Sequence, residues 1–230
     1  MTARLTYFAS RGRAETTRWM LAACGIAFEN VGLTQPEGLE ALRATDKLPF
    51  DQLPLLELDG ERFSQTSAMI RLLARRGDMY GDEDQERVLI DMAAGAVADF
   101  VEPAIGFSFQ PTPEAALAGM ARAMAKFGPR FEALLSDGRT HVAGGRLSFA
   151  DVVLAEATSH YAERDPGLFD PYPQLAAHRE RVCALPRIAA YLASPLRWPL
   201  IDDEVVILIA RVVRRALPPH FPDPDRFVPT

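Results

Sequence analysis

The sequence predicts an α/β N-terminal domain followed by an all-α C-terminal helical domain. Strand and helix patterns alternate up to residue 77, a polar stretch rich in Gly and Asp follows at residues 77–82, and apolar residues beyond it recur at helical spacing. At 230 residues the chain is long enough for two domains of about 100–150 residues each. We therefore expect domains over residues 1–77 and 83–217, and a Pro-rich tail over residues 218–230.

The first domain has a mixed pattern. The Asp-Gly pair between alternating apolar residues predicts a hairpin turn. The resulting order β-α-β-α-β-β-α is typical of a thioredoxin-like domain. In chain order the predicted elements are a strand at Arg4–Phe8, a helix at Arg13–Cys24, a strand near Glu29–Leu33, a short helix around Leu39–Arg43, the hairpin Leu55–Phe63 and a helix at Ala68–Arg76.

The second domain is predicted to be entirely helical. A long amphipathic helix begins at Glu83, and Thr112-Pro113 gives an N-cap with Pro at the first helical position, so a second long helix runs towards Leu135. Ser148-Phe149-Ala150-Asp151 resembles a capping box that opens a third, buried helix. Shorter helices follow at Gln174–Val182, at Pro186–Leu192 and over the dipole-compensated stretch Asp202–Arg211.

Composition excludes several classes of function. A net charge of -6 and a pI near 5.3 give no basic surface for nucleic acid. The aliphatic stretch Val205–Ala210 is far shorter than the ~20 residues of a membrane-spanning helix, and no secretory signal pattern begins the chain. Cys24 and Cys183 make no disulfide framework, which suits a reducing compartment. We therefore expect a cytoplasmic protein without nucleic acid or membrane partners.

A tyrosine lies near the end of the first predicted strand, close to the first predicted helix. Tyr7 precedes Phe8 at the end of the strand, Arg13 opens the helix and Arg11 lies between them. A helix N-terminus has unpaired N–H groups and the positive end of the dipole, which favour an anion. A phenol and two guanidinium groups at this place have the chemistry to hold a thiolate, although Tyr7 also fits an ordinary amphipathic strand.

A second polar segment surrounds the hairpin. Leu53–Pro54 ends the preceding loop, where a tight X-Pro bend is a candidate for the cis isomer, and this bend exposes the backbone of Leu53 to a ligand strand. After the hairpin, Ser64-Gln65-Thr66-Ser67 opens a helix and offers donors to a carboxylate. The two segments together predict a site for a small anionic thiol peptide.

These residues resemble the cytosolic glutathione transferase family, and within it the tyrosine-type alpha and sigma classes. The matching motifs are Tyr-Phe-x-x-Arg-Gly-Arg-x-Glu-x-x-Arg at Tyr7–Arg18, Gln-Leu-Pro-Leu-Leu-Glu-x-Asp-Gly at Gln52–Gly60 and Ser-Gln-Thr-Ser at Ser64–Ser67. The resemblance extends from Leu5 to about Arg215. It implies glutathione as co-substrate, a detoxification role and a homodimer. The four histidines are scattered without metal-ligand spacing, so we expect no metal.

The resemblance also implies roles for residues that bind and activate glutathione. Tyr7 donates a hydrogen bond to the sulfur and Arg13 adds positive charge beside it, whereas Arg11 and Arg18 are structural or surface charges. Ser10 is the alternative sulfur ligand, because other classes of the family use a serine beyond the first strand. The expected glutathione-binding residues are Arg43, Lys47, Gln52, Leu53, Pro54, Gln65, Thr66 and, reaching across a dimer, Asp99.

The second substrate is expected to be a hydrophobic electrophile. Its pocket, by family geometry, lies between Tyr7, the upper part of the first long helix and the C-terminal segment. The last helix resembles the alpha-class lid, and a core helix packed on the C-terminal domain is the open alternative. The candidate contacts are Phe107, Phe109, Ile207, Leu208 and Arg211.

Several activities remain open on this scaffold. The first is conjugation of glutathione to electrophilic carbon, and isomerase or peroxidase activity shares the same thiolate. A non-catalytic ligand-binding or structural protein is the alternative, since fold alone does not confer activity. The motifs that contain Tyr7, Arg13 and Gln65 favour the enzyme, and Phe50 is a candidate apolar contact with a dimer partner.

Overall fold

The structure is a computed structural model that describes residues 3–143 and 145–221. Residues 222–230 of the predicted Pro-rich tail lie outside the described residues. Within the described part of the chain, no helix is long and apolar enough to cross a membrane.

A four-stranded mixed sheet forms the N-terminal part. The strands are β1 (Ala3–Phe8), β2 (Phe28–Leu33), β3 (Leu55–Leu58) and β4 (Glu61–Phe63), in the order β2-β1-β3-β4. β2 runs parallel to β1, whereas β3 is antiparallel to both β1 and β4. The hairpin turns at Asp59 and Gly60, as the Asp-Gly pair predicts, with positive φ angles of 53° and 85°.

Nine α-helices complete the described residues. After a 3-10 turn at Gly12–Ala14, they are α1 (Glu15–Ala23), α2 (Pro36–Ala44), α3 (Thr66–Arg76), α4 (Asp84–Ile105), α5 (Pro113–Leu135), α6 (Phe149–Arg164), α7 (Pro173–Cys183), α8 (Pro186–Leu192) and α9 (Asp203–Val212). The predicted elements are all present, with ends that move by up to three residues. Two further 3-10 turns, at Phe107–Phe109 and Pro166–Phe169, were not predicted.

The predicted caps are confirmed. The Thr112 hydroxyl accepts a hydrogen bond from the Ala115 N–H at 3.2 Å, and Ser148 and Asp151 form the predicted capping box. Asp151 also accepts from the N–H of Val142 at 2.8 Å, which ties the loop before α6 to its first turn. These local bonds satisfy N–H groups that a helix start leaves unpaired.

The largest buried cluster is continuous from the sheet to the helical part. α6 is buried along most of its length and packs against α1, α4 and α7. α1 also contacts α8, where the Tyr191 hydroxyl donates to Glu15 at 2.9 Å. The predicted fold class, a thioredoxin-like domain followed by a helical domain, is therefore confirmed, and the two parts share one core.

The last helix packs on the sheet side of the molecule. α9 contacts α2, β1 and the 3-10 turn at Phe107–Phe109. Leu208 packs on a cluster that includes Leu33, Leu39 and Leu55. α9 is therefore not a core helix packed on the C-terminal domain alone, because part of its apolar face packs on residues of the N-terminal part.

Candidate active site

A cleft of about 720 Å³ lies between the sheet part and the helical part. The helical part contributes apolar side chains from α4 and α6, including Val97, Val101 and Val153. Seven of the predicted site residues line this cleft together: Tyr7, Arg13, Gln52, Leu53, Pro54, Gln65 and Thr66. The structure thus brings two sequence motifs that are about forty residues apart into one concave site.

Tyr7 is the second-last residue of β1 and lines the cleft. The side chain is only 7% exposed, and its hydroxyl accepts a hydrogen bond from the Arg13 backbone N–H at 3.4 Å. Gly12 lies under the ring with a φ of 41°, and a Cβ atom there would lie 2.7 Å from Cε1 and 2.8 Å from the hydroxyl oxygen of Tyr7. Glycine at this position therefore allows the 3-10 turn to approach the phenol.

The phenol of Tyr7 keeps its proton at neutral pH. Burial raises its pKa, and this effect exceeds the lowering by the Arg13 N–H and by the charges of Arg13 and Arg18. Since the hydroxyl accepts one hydrogen bond through its oxygen and remains protonated, its O–H is available as a donor to a ligand in the cleft.

Arg13 connects the two parts of the molecule. Its guanidinium makes two hydrogen bonds to Glu102 of α4, at 2.7 and 2.9 Å, and this contact raises its pKa. The Thr66 hydroxyl at the start of α3 donates to the Arg13 carbonyl at 3.3 Å. Arg13 therefore holds a positive charge beside Tyr7, between the two helices that border the cleft.

The second motif forms the opposite wall. The Leu53–Pro54 bond is cis, as the sequence predicts. Gln65 precedes α3 with a φ of 66°, unusual for a residue with a side chain, and its amide donates to the Gln52 side chain at 2.7 Å. Backbone strain of this kind costs about 1–3 kcal/mol and is concentrated at functional sites, and here the strained residue faces the cleft.

Three predicted glutathione-binding residues lie outside the lining of the cleft. Arg43 makes two hydrogen bonds to Asp51, at 2.5 and 3.1 Å. Lys47 lies in the loop that follows α2, and Asp99 is exposed on α4, where the role predicted for it requires a second subunit. Their roles remain predictions.

The predicted contacts of the second substrate are likewise outside the cleft lining. Phe107 packs against the core with the Arg164 guanidinium 4.1 Å from its ring centre, and Phe109 is exposed. Ile207 and Leu208 pack into the two small clusters beneath α9, and Arg211 is exposed on the same helix. α9 contacts the turn that carries Phe107 and Phe109, so the two predicted segments of the second-substrate site are neighbours.

Sequence reasoning missed several residues that line the cleft. Thr16 and Arg71 face it from α1 and α3, and Glu156 faces it from α6. Burial, with the negative charge of Glu15 second, raises the pKa of Glu156 to about 8. A glutamate within the apolar run Val152–Ala157 was the available signal, because charged residues are rarely buried without a partner.

The other charges of the first motif are structural. Arg18 is fully buried and makes hydrogen bonds to Glu15 at 3.1 Å and to Asn30 at 3.0 Å. Arg11 is buried and pairs with Glu163 at 2.8 Å. Ser10 is buried and is not among the residues that line the cleft, whereas Tyr7 is.

Comparisons with known proteins identify the family of this chain. Residues 98–195 match the family described as "Glutathione S-transferase, C-terminal domain". Glutathione S-transferase alpha-5 of Rattus norvegicus is 38% identical over 213 residues, which cover 91% of this chain and 96% of the relative. Glutathione S-transferase A3 of Mus musculus is 36% identical, with 91% and 96% coverage.

Solved structures of similar fold include glutathione S-transferases of Ascaris lumbricoides and Necator americanus. The glutathione S-transferase of Ascaris lumbricoides matches with a TM-score of 0.72 and 30% identity, covering 84% of this chain and 97% of that one. The monomeric glutathione S-transferase Na-GST-3 of Necator americanus matches with a TM-score of 0.74 and 28% identity, covering 84% and 96%. From its motifs, its cleft and these relatives, the chain belongs to the glutathione S-transferase family of enzymes.

Proposed function

We propose that this protein conjugates glutathione to hydrophobic electrophiles and that Tyr7 stabilises the glutathione thiolate. The observation that carries the proposal is the buried, protonated phenol of Tyr7 in the cleft, with the Arg13 guanidinium beside it. A thiol with a free pKa of about 8.5 is mostly protonated at neutral pH, and only the thiolate is an effective nucleophile.

The energy required is within reach of these groups. Lowering a thiol pKa by about two units takes ~2.7 kcal/mol of preferential thiolate stabilisation. A hydrogen bond to a charged group contributes about 1.5–3 kcal/mol. The charge of Arg13 also stabilises the thiolate. This contribution is reduced because the Arg13 side chain is half-exposed and already paired with Glu102. The Tyr7 hydrogen bond therefore supplies most of the decrease in the pKa of the glutathione thiol.

The rest of the cleft is suited to the peptide portion of glutathione. The γ-glutamyl carboxylate binds at the N-terminus of α3 with Gln65 and Thr66, and the cysteinyl backbone pairs with Leu53. Arg43 and Lys47 bind the glycine carboxylate, and for Arg43 this requires the ligand to compete with Asp51. Strained backbone at Gln65 supports the assignment, because strain persists where the surrounding structure enforces it.

The walls of the cleft support a hydrophobic second substrate. Ala94, Val97, Val101 and Ile105 line it from α4, and Val153 lines it from α6. An apolar pocket with a few placed polar groups is typical of small-molecule sites. Isomerase or peroxidase chemistry would use the same thiolate, and the identity of the second substrate decides among these reactions.

A homodimer is part of the proposal. Val88, Leu89 and Met92 are exposed on one face of α4, and Phe50 is 67% exposed. Exposed apolar side chains that form a contiguous patch are typical of interaction sites. Asp99 lies on the same helix and completes the site of the partner subunit. The two cysteines are unpaired thiols, which supports action in the reducing cytoplasm.

The test is a titration of glutathione bound to the wild type and to Tyr7→Phe, following thiolate absorbance against pH. We expect the bound thiol to ionise below pH ~7 in the wild type and about one to two units higher in the variant. Tyr172→Phe is the control, because Tyr172 lies at the start of α7 outside the cleft lining. Binding of glutathione with an unchanged solution pKa would contradict the proposal and favour a binding protein.

A further inference from the structure

α6 contributes one ionisable group to the lining of the cleft. Glu156 is 2% exposed, yet it lines the cleft together with Val97, Val101 and Val153. Thr16 of α1 is the polar neighbour of Glu156 on this wall. A ligand that fills this end of the cleft therefore meets hydrocarbon, the Thr16 hydroxyl and a single carboxyl group.

The carboxyl group has hydrogen-bonding capacity to spare. The Thr16 hydroxyl donates to Glu156 Oε2 at 3.2 Å. Glu156 Oε1 lies 3.4 Å from Nε2 of His160, which is long for a hydrogen bond, and this nitrogen has no hydrogen-bond partner within the described residues. Oε1 therefore retains capacity for a short hydrogen bond, for which a ligand in the cleft would compete with Nε2 of His160.

Burial keeps this carboxyl group uncharged at neutral pH. Burial raises the pKa of Glu156 to about 8 and the carboxylate of Glu15 adds to the increase, against the opposing effects of Thr16, Arg11 and Arg197. Burial, assisted by the same two arginines and Arg164, lowers the pKa of His160 to about 3. Glu156 thus carries a proton at pH 7 and can donate it in a hydrogen bond.

We propose that Glu156 determines specificity for the second substrate by donating a hydrogen bond to an acceptor oxygen at the buried end of a hydrophobic electrophile. This inference rests on the proposed conjugation of glutathione. The favoured substrate class is an apolar molecule whose electrophilic carbon faces Tyr7 and whose far end carries a carbonyl or similar neutral acceptor. A charged group at that end is disfavoured, because the wall around Glu156 is apolar.

Two probes of nearly equal size isolate this contact. 4-Acetylbenzyl chloride carries a carbonyl acceptor opposite its reactive carbon, and 4-isopropylbenzyl chloride carries none. Glu156→Leu removes the donor at similar volume, whereas Glu156→Gln keeps a donor that does not ionise. Each variant is compared with the wild type on the same probe, so the intrinsic reactivity of the probe cancels.

For Glu156→Leu we expect kcat/KM to fall by about 3- to 10-fold with the acetyl probe and to stay constant or rise with the isopropyl probe. Glu156→Gln should retain the preference for the acetyl probe. As pH rises through about 8 and Glu156 ionises, the wild type should lose this preference while Glu156→Gln keeps it. Equal losses with both probes in both variants, or a wild-type preference that does not change with pH, would overturn the proposal.

A binding measurement separates this inference from the proposed reaction. If neither probe is conjugated, the proposed function fails, and calorimetric titration with the unreactive acetophenone and isopropylbenzene tests Glu156 directly. Tighter binding of acetophenone by the wild type and Glu156→Gln, but not by Glu156→Leu, supports the contact. Equal affinities of the wild type for the two compounds would refute it.

Discussion

Gly12→Ala provides a sharp test of how Tyr7 is positioned. The alanine Cβ would lie 2.7 Å from Cε1, 2.8 Å from the hydroxyl oxygen and 3.1 Å from Cζ of Tyr7. Carbon atoms in contact are normally about 3.5–4.0 Å apart. The ring must therefore move by about 1 Å, and the hydroxyl lies at the end of the ring that moves.

This displacement should weaken the hydrogen bond from Tyr7 to the glutathione thiolate by more than it lowers the stability of the fold. Losing a hydrogen bond to a charged acceptor costs about 1.5–3 kcal/mol, so the pKa of bound glutathione should rise by about 1–2 units. Alanine at the positive φ of Gly12 also costs about 1–2 kcal/mol of folding stability. Gly60→Ala is the matched control, because Gly60 has a φ of 85° and no heavy atom within 4 Å of an added Cβ.

The assay combines two measurements on both variants. Thiolate absorbance against pH gives the pKa of bound glutathione, and urea unfolding gives the loss of stability. We expect both variants to lose stability, and only Gly12→Ala to raise the thiol pKa. A wild-type thiol pKa in a folded Gly12→Ala protein would show that the position of the Tyr7 hydroxyl does not control the thiolate.

Three further predictions concern other parts of the molecule. Glu102→Gln leaves the Arg13 charge uncompensated, so the pKa of bound glutathione should fall in the same titration. An unchanged pKa would show that solvent screens the Arg13–Glu102 pair. Glu156 has a folded pKa of about 8, above the value of 4.5 for a free glutamate, so the stability it contributes is present below pH 4.5 and is lost as pH rises to 8. Urea unfolding from pH 5 to 8 should therefore show the wild type losing up to about 1.4 kcal/mol per pH unit relative to Glu156→Gln, and parallel curves would refute a buried neutral carboxyl. Phe50→Ser should shift a wild-type dimer towards monomer in sedimentation experiments, and a wild-type monomer at micromolar concentration would contradict the dimer itself.

The sequence was most informative where the physical cause is local. The cap at Thr112, the capping box at Ser148 and the hairpin turn at Asp59 depend on residues at most three positions apart, and all three are present. The positive charge beside Tyr7 was also expected, because Arg13 is only six residues away.

Contacts between distant segments could not be read from the sequence. Arg13 meets Glu102, which lies 89 residues further along the chain, and no local pattern connects the two. Glu156 was missed because an apolar helix predicts burial but does not say which wall of the molecule each side chain faces. The position of α9 against α2 and β1 likewise depends on which apolar surface the sheet leaves uncovered.

The core shared by the sheet and the helices has a consequence for recombining this chain with its relatives. A crossover in the polar linker after α3 would join α1 of one parent to α6 and α8 of another. The hydrogen bonds from Thr16 to Glu156 and from Tyr191 to Glu15 would then be divided between parents. Chimeras made at this boundary should fold best when Thr16, Glu156, Glu15 and Tyr191 all come from the same parent. A successful exchange therefore has to preserve sets of contacting residues and not only continuous segments of sequence.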